Sequence, residues 1–202
     1  YLGMDLGGFK GIFWWEDVHR LLGRLLGVAF LVPLLWFLVR RQIPAGYGMP
    51  LTGIFLLGGL QGAMGWYMVQ SGLIDDPRVS PLRLTAHLGL AFVIFAAMFW
   101  VALSLVSARY WRASDAAQRR VRRLAHAVAL LVFAMVLTGG LVAGIRAGLA
   151  YNTFPLMNGS LVPAEIMSIE PWWKNFAYNM ATVQFNHRFV AFAARSSAID
   201  PH

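Results

Sequence analysis

No cysteine occurs anywhere in the 202 residues. Its absence removes disulfides, thiolate-held iron–sulfur clusters, thiol nucleophiles and the Cys-x-x-Cys-His attachment of c-type haem. Any metal chemistry has to rest on histidine, carboxylate or methionine. Charge is scarce too: Asp, Glu, Lys and Arg make up 13% of the chain, against roughly a quarter in an ordinary soluble domain. Acidic residues are the rarer sign, 9 against 17 Lys and Arg, which leaves a formal net charge of +8. Such a balance would suit nucleic acid, but no basic stripe interleaved with aromatics runs along a soluble face, and that partner is set aside. The alternation of a membrane β-barrel is missing as well. No cleavable signal is visible, and the sequence opens with Tyr1 in a Gly-rich stretch.

What the sequence has is apolar length. Hydrophobic residues reach 58% with 8 Trp, and stretches at about 18–39, 49–70, 82–106 and 124–146 are each long enough to span a bilayer. A fifth begins near Val183 and turns polar after about 13 residues, roughly 20 Å, where about 20 residues are needed. The expectation is an all-α, polytopic transmembrane helix bundle with four complete spans and a truncated fifth. It reads as a piece of a larger protein, cut at both ends.

Position explains the positive charge. Arg40 and Arg41 follow the first span, and Arg109, Arg112, Arg119, Arg120, Arg122 and Arg123 crowd the connection after the third. Lys and Arg gather on the cytoplasmic side of short loops, so both connections are predicted inside. The acidic or aromatic connections "SGLIDDPRVSPLR" and "YNTFPLMNGSLVPAEIMSIEPWWKNFAYN" then lie outside, the latter with Trp172 and Trp173 at headgroup level. Pro33 is expected to kink the first span.

Polar chemistry in such segments is a functional hypothesis by default, because an ionisable group in hydrocarbon costs several kcal/mol without a partner. The stretch "FWWEDVHRLLGR" carries Glu16, His19, Arg20 and Arg24 into the first span. His19, His87 and His187 each lie just inside the outer end of a helix, three nitrogen donors at one depth on helices running the same way. Each alone could be a hydrogen-bonding packer. Together they suit axial ligation of a flat macrocycle between facing helices better than zinc, which would want a closed tetrahedral set. His126, after "RRVRRLA", reads as interfacial, and His202 sits in a polar tail. Gly23-x-x-x-Gly27, Gly58-x-x-x-Gly62 and Gly140-x-x-x-Gly144-x-x-x-Gly148 permit either close helix packing or a slot for a flat ligand. Met64 and Met68, one turn apart, read as gap fillers before weak iron ligands.

An internal repeat links the two ends of the chain. "EDVHRLLGR" and "QFNHRFVAF" share His-Arg at the same point of an entering helix, with Glu16 and Gln184 each three residues before the His. That spacing puts Glu16 on nearly the same face as His19, where it either reaches the edge of a bound macrocycle or stays an interfacial carboxylate.

"GIFWWEDVHRLLGRLLG", "LQGAMGWYMVQSGL", "RLTAHLGLAF", "GGLVAGIRAGLAYNTFPLMNG" and "ATVQFNHR" resemble, in order from about residue 9 to about 192, the haem A synthase family of proteobacteria and mitochondria. The resemblance implies an eight-helix fold of two pseudo-symmetric halves, of which this chain holds helices two to five and the start of six. On that pattern residues 1–107 form the substrate-haem half lacking its first helix, 108–123 a cytoplasmic Arg-rich linker, and 124–202 the start of a haem b half. The implied activity is oxidation of a ring methyl of haem O to the formyl of haem A, for terminal oxidases. His19 and His87 match the pair at the substrate haem, His187 the first iron ligand of haem b, and Glu16 the catalytic carboxylate. Arg20, Arg146 and Arg188 either bind propionates or snorkel. The implied setting is the bacterial inner membrane with the haem sites near the periplasmic side. Partners are haem O and membrane lipid, with room for the haem O synthase that delivers the substrate and for homo-oligomers. A cysteine pair found in the outer loop of some relatives is missing here. An electron-carrying two-haem cytochrome without substrate turnover, and a repeat-built transporter using His and Glu as a proton relay, are the competing classes.

Overall fold

The structure, a computed structural model, describes residues 5–70, 79–106 and 116–199. Most of the connection after α2, Arg109 and Arg112 of the Arg-rich loop, and His202 lie outside the described residues. The elements are α1 (Leu6–Val39), α2 (Gly48–Gln70), α3 (Pro81–Val106), α4 (Ala116–Gly144), α5 (Ala147–Ala150), a 3₁₀ turn (Trp172–Lys174), α6 (Asn175–Tyr178) and α7 (Met180–Ile199). Among the described residues the one departure from helix and loop is an isolated bridge between Met157 and Ser160.

Three helices are long and apolar enough to cross a membrane, at Leu6–Val39, Pro81–Val106 and Gln118–Gly144. The chain is a helical membrane protein, and its exposed side chains agree. Leu26, Val32, Phe95 and Leu130 stand 60–71% open, a surface that water would penalise and lipid tails solvate. The 23 residues of α2 suffice for a span in length, while Gly48, Gly53, Gly58, Gly59, Gly62 and Gly65 dilute its hydropathy. α1 is longer than the apolar stretch predicts. It starts where Asp5 accepts a 2.8 Å hydrogen bond from the Gly8 N–H, satisfying a donor that the first turn leaves open. Glu16 and His19 therefore sit well inside a helix that continues through Pro33.

Two compact units divide the chain. One comprises α1, α2 and α3 from Val93 onward. α1 and α2 pair through the stacked rings of Phe30 and Phe55, 6.4 Å between centroids, beside buried Leu34 and Ile54. An open apolar groove of about 590 Å³ runs between Ile54 and Leu57 on α2 and Trp100 and Val101 on α3.

The other unit comprises α3 up to Phe92 and everything from α4 onward. Its small residues are where helices meet. A Cβ on Gly144 would lie 2.8 Å from the Pro81 Cα, and one on Gly140 3.3 Å from the Thr85 Cα, so α4 approaches the start of α3 backbone to backbone. α4 pairs most extensively with α7. Past Gly144 the helix breaks at Arg146, whose φ of 56° is left-handed, and restarts as α5 with Ala147 wholly buried.

Candidate functional site

The head of α7 gathers the buried polar side chains Asn175, Asn179, Thr182 and Gln184. Its first turn is capped by Asn179, whose side-chain oxygen accepts from the Thr182 N–H at 3.1 Å. The Asn179 amide donates to the Glu165 carbonyl at 2.8 Å and to the Asn175 Oδ1 at 2.8 Å. Asn175 is fully buried. Its oxygen accepts from the Ile169 N–H (3.0 Å) and its amide donates to the carbonyls of Ile169 (2.7 Å) and Trp172 (2.8 Å). The Thr182 hydroxyl accepts from the Met167 N–H at 3.1 Å. These side chains answer the backbone of a long irregular connection that has no ladder of its own, so it packs on α7 with few open polar groups.

The connection's first part is held from α7 by Arg188. Its guanidinium donates to the carbonyls of Tyr151 (2.8 Å) and Thr153 (2.7 Å), with longer contacts to Pro155 (3.3 Å) and Leu156 (3.4 Å). Of the three arginines weighed for propionates, Arg188 is thus committed to backbone and Arg20 to Glu16. Arg146 is exposed, with no side-chain partner among the described residues. Tyr151 also reaches Glu165 at 3.4 Å; partial burial, then the nearby carboxylate, push its phenol above the usual range.

His187 lies one turn beyond Gln184 on this head and is half-buried. Its Nδ1 stands 2.9 Å from the Thr138 hydroxyl of α4. Beside it, a Cβ on Gly139 would come within 3.3 Å of the imidazole Cε1. Gln184 is 9% exposed; its amide reaches the Tyr151 carbonyl at 3.4 Å, and its Oε1 has no partner among the described residues.

His87 belongs to the same unit, half-buried on the part of α3 that meets Gly140 of α4. His19 belongs to the other unit and is exposed on α1, with Glu16 one turn away and ion-paired to Arg20. His126 turns its Nδ1 to the Arg122 carbonyl of its own helix at 2.6 Å and is exposed. Sequence reasoning missed Thr138, Asn175, Asn179 and the loop-holding role of Arg188. Only Thr138 left a trace, as a lone hydroxyl directly before the Gly139–Gly140 pair.

Among the described residues no three His, Asp or Glu side chains gather. A haem iron needs no such cluster, since the macrocycle supplies its equatorial nitrogens and the protein one or two axial ligands. The bare Gly139 beside His187, and an imidazole already oriented by a hydroxyl, fit such a group.

Residues 1–199 match the COX15-CtaA family of cytochrome oxidase assembly proteins. The chain belongs to that family. It is 58% identical over 191 residues to the heme A synthase of Nitrosospira multiformis, covering 95% of this chain and 54% of that protein. To the heme A synthase of Nitrosomonas eutropha it is 56% identical over 191 residues, 94% and 54% of the two chains. To that of Mesorhizobium japonicum it is 49% identical over 197 residues, 98% and 53%. The chain spans about half the length of these relatives. No solved structure matches it. The family resemblance read from the blocks around Glu16, His87 and His187 is borne out.

Proposed function

We propose that this chain is the part of a haem A synthase that binds the substrate haem and begins the cofactor site. In this reading His19 and His87 hold haem O, Glu16 acts on it, and His187 is the first axial ligand of haem b. Residues 1–107 and 124–202 belong to two pseudo-symmetric half-bundles joined by a cytoplasmic linker, in a bacterial inner membrane with the haem sites toward the periplasm. The observation that carries the reading is the similarity to proteins named heme A synthase along 95% of the chain. The seat of His187 on Thr138 and Gly139 supports the haem b assignment. The arginines after the first and third spans support the orientation.

Turning a ring methyl into a formyl removes four electrons, which an external electron acceptor must take, and, with water as the oxygen source, releases four protons. Bound haem supplies the redox chemistry; the residues of this chain orient it and handle protons. Glu16 suits the second task. Its carboxylate is partly open and held by Arg20 one turn on, next to His19 on the same helix face. A purely electron-carrying cytochrome has no evident use for a carboxylate there.

The test uses the full-length protein. Glu16→Gln keeps size and hydrogen bonding but removes the base, so bound haem should persist, haem O or a hydroxylated intermediate should accumulate, and haem A should fall about a hundredfold. Chromatography of the extracted haems reads the result. Haem A at the wild-type rate would reduce Glu16 to an interfacial carboxylate. A wild-type protein that binds haem and forms no formylated product would establish the electron carrier instead.

A further inference from the structure

We propose that Thr138 is a positioning residue: it fixes the tautomer and ring plane of His187, so that Nε2 is presented as the free donor to a haem iron. The inference deepens the proposed function and rests on His187 being an axial ligand.

A count of protons leads to it. The Thr138 hydroxyl has one hydrogen and two lone pairs. Within reach are the carbonyls of Ala134 at 3.0 Å and Met135 at 3.2 Å, four and three residues back on α4, and the Nδ1 of His187 at 2.9 Å. Carbonyls only accept, and a helical Thr hydroxyl facing the preceding turn donates to them. Its lone pair is then what faces His187, and the 2.9 Å contact is a hydrogen bond only if Nδ1 carries a hydrogen. A neutral imidazole protonated at Nδ1 has its lone pair on Nε2, the arrangement iron ligation requires.

Sterics fix the plane. With no side chain on Gly139, the ring lies against the α4 backbone, Cε1 3.3 Å from where a Cβ would be. A methyl there presses on the carbon between the two nitrogens and moves the ring by a few tenths of an ångström. Thr138 and Gly139 together form a seat on α4, the helix that packs most extensively against α7. The opposite tautomer would require Thr138 to turn its hydrogen away from the Ala134 and Met135 carbonyls to Nδ1; Nε2 would then carry the hydrogen and the iron would have no ligand on this side.

The test compares full-length protein carrying Thr138→Val, Thr138→Ser, Gly139→Ala and His187→Ala, read by haem b per chain, the g-values of the ferric low-spin signal and the midpoint potential. Thr138→Val keeps the shape without the acceptor. Haem b affinity should fall tenfold or more, within the 10–100-fold range for losing an outer-sphere partner. The haem that remains should titrate at a higher potential, because an imidazole that has lost its Nδ1 acceptor gives less electron density to ferric iron. Thr138→Ser should restore both. Gly139→Ala keeps the hydroxyl and should shift the g-values with haem retained, which tests the seat even if Thr138→Val fails to accumulate. Wild-type affinity, g-values and potential in Thr138→Val or wild-type g-values in Gly139→Ala, with haem b lost in His187→Ala, would overturn the positioning role and leave the proposed function standing. Haem b retained in His187→Ala would overturn the ligand assignment itself.

Discussion

Glu16 and His19 lie along an open stretch of α1, whereas Gln184 and His187 lie at the head of a helix that Asn179 caps, Arg188 ties to the 151–156 segment and Thr138 meets from α4. The spacing is the same in both, acid or amide three residues before His and Arg directly after it. The settings explain why one motif has the acid and the other the amide. Glu16 is 40% exposed in its side chain and has Arg20, one turn on, as its ion-pair partner. Gln184 is 9% exposed, and its neighbour across the gap is a carbonyl oxygen, that of Tyr151. An amide donates to that oxygen; a carboxylate would be desolvated and repelled. A repeat can therefore keep its His-Arg pair while exchanging a partly exposed carboxylate for a buried amide.

The largest effect that would break this contrast comes from making the halves alike. Gln184→Glu should destabilise the full-length protein by about 2–4 kcal/mol near neutral pH, the penalty of a buried charge being capped by the cost of protonating it. The sign with pH follows: an acid that the native state prefers protonated has its folded pKa raised, so the penalty is full above that value and fades as pH falls toward the ordinary range near 4. Thermal unfolding in detergent at two pH values measures it. A fully stable Gln184→Glu would mean that the head of α7 is wetter than its burial indicates.

A middle-sized effect concerns the glycines. Gly140 and Gly144 serve as contact points, while a Cβ on Gly23, Gly27, Gly58 or Gly62 meets nothing within 4 Å. Gly144→Ala drives a methyl against the Pro81 backbone at 2.8 Å and should cost about 1–3 kcal/mol, as overpacking does. Gly27→Ala should be neutral or stabilise by up to about 1 kcal/mol through helix propensity. Equal destabilisation by the two, measured in the full-length protein, would show that the Gly23–Gly27 face of α1 is packed by residues beyond this chain, and the contrast between the units would narrow.

The same difference accounts for what was legible in the sequence. Apolar length marks α1, α3 and α4, because a membrane helix satisfies its own backbone and needs only the right side chains. The beginning of α1 was not legible, since Asp5 caps a Gly-rich lead-in whose hydropathy does not mark it as helix. His19, His87, His187 and Glu16 stand out as polar groups where lipid-like residues are the rule. The setting of His187 was hidden for another reason. Its partner Thr138 is 49 residues away, and Asn175, Asn179 and Arg188 bind backbone groups 3 to 37 residues distant. Such contacts follow no period, and a carbonyl looks the same in every residue.

The smallest expected effect is the most sensitive probe of the α1 side. Glu16 and Arg20 form an i,i+4 pair with the acid nearer the N-terminus, the favourable order on a helix. With side chains 40% and 47% exposed, such a pair contributes about 0.3–0.5 kcal/mol, and less as salt screens it. Arg20→Gln should therefore lower stability by no more than about 0.5 kcal/mol, a difference that disappears near 1 M salt. Haem A formation should fall less than in Glu16→Gln, because the carboxylate stays and loses only the group that orients it. A loss of 2 kcal/mol or more that persists in high salt would mean that Arg20 is buried in the full-length protein, as Arg188 is engaged here by the 151–156 carbonyls. The polar face of α1 would then be a braced site like the head of α7, and the acid at Glu16 would need an explanation other than exposure.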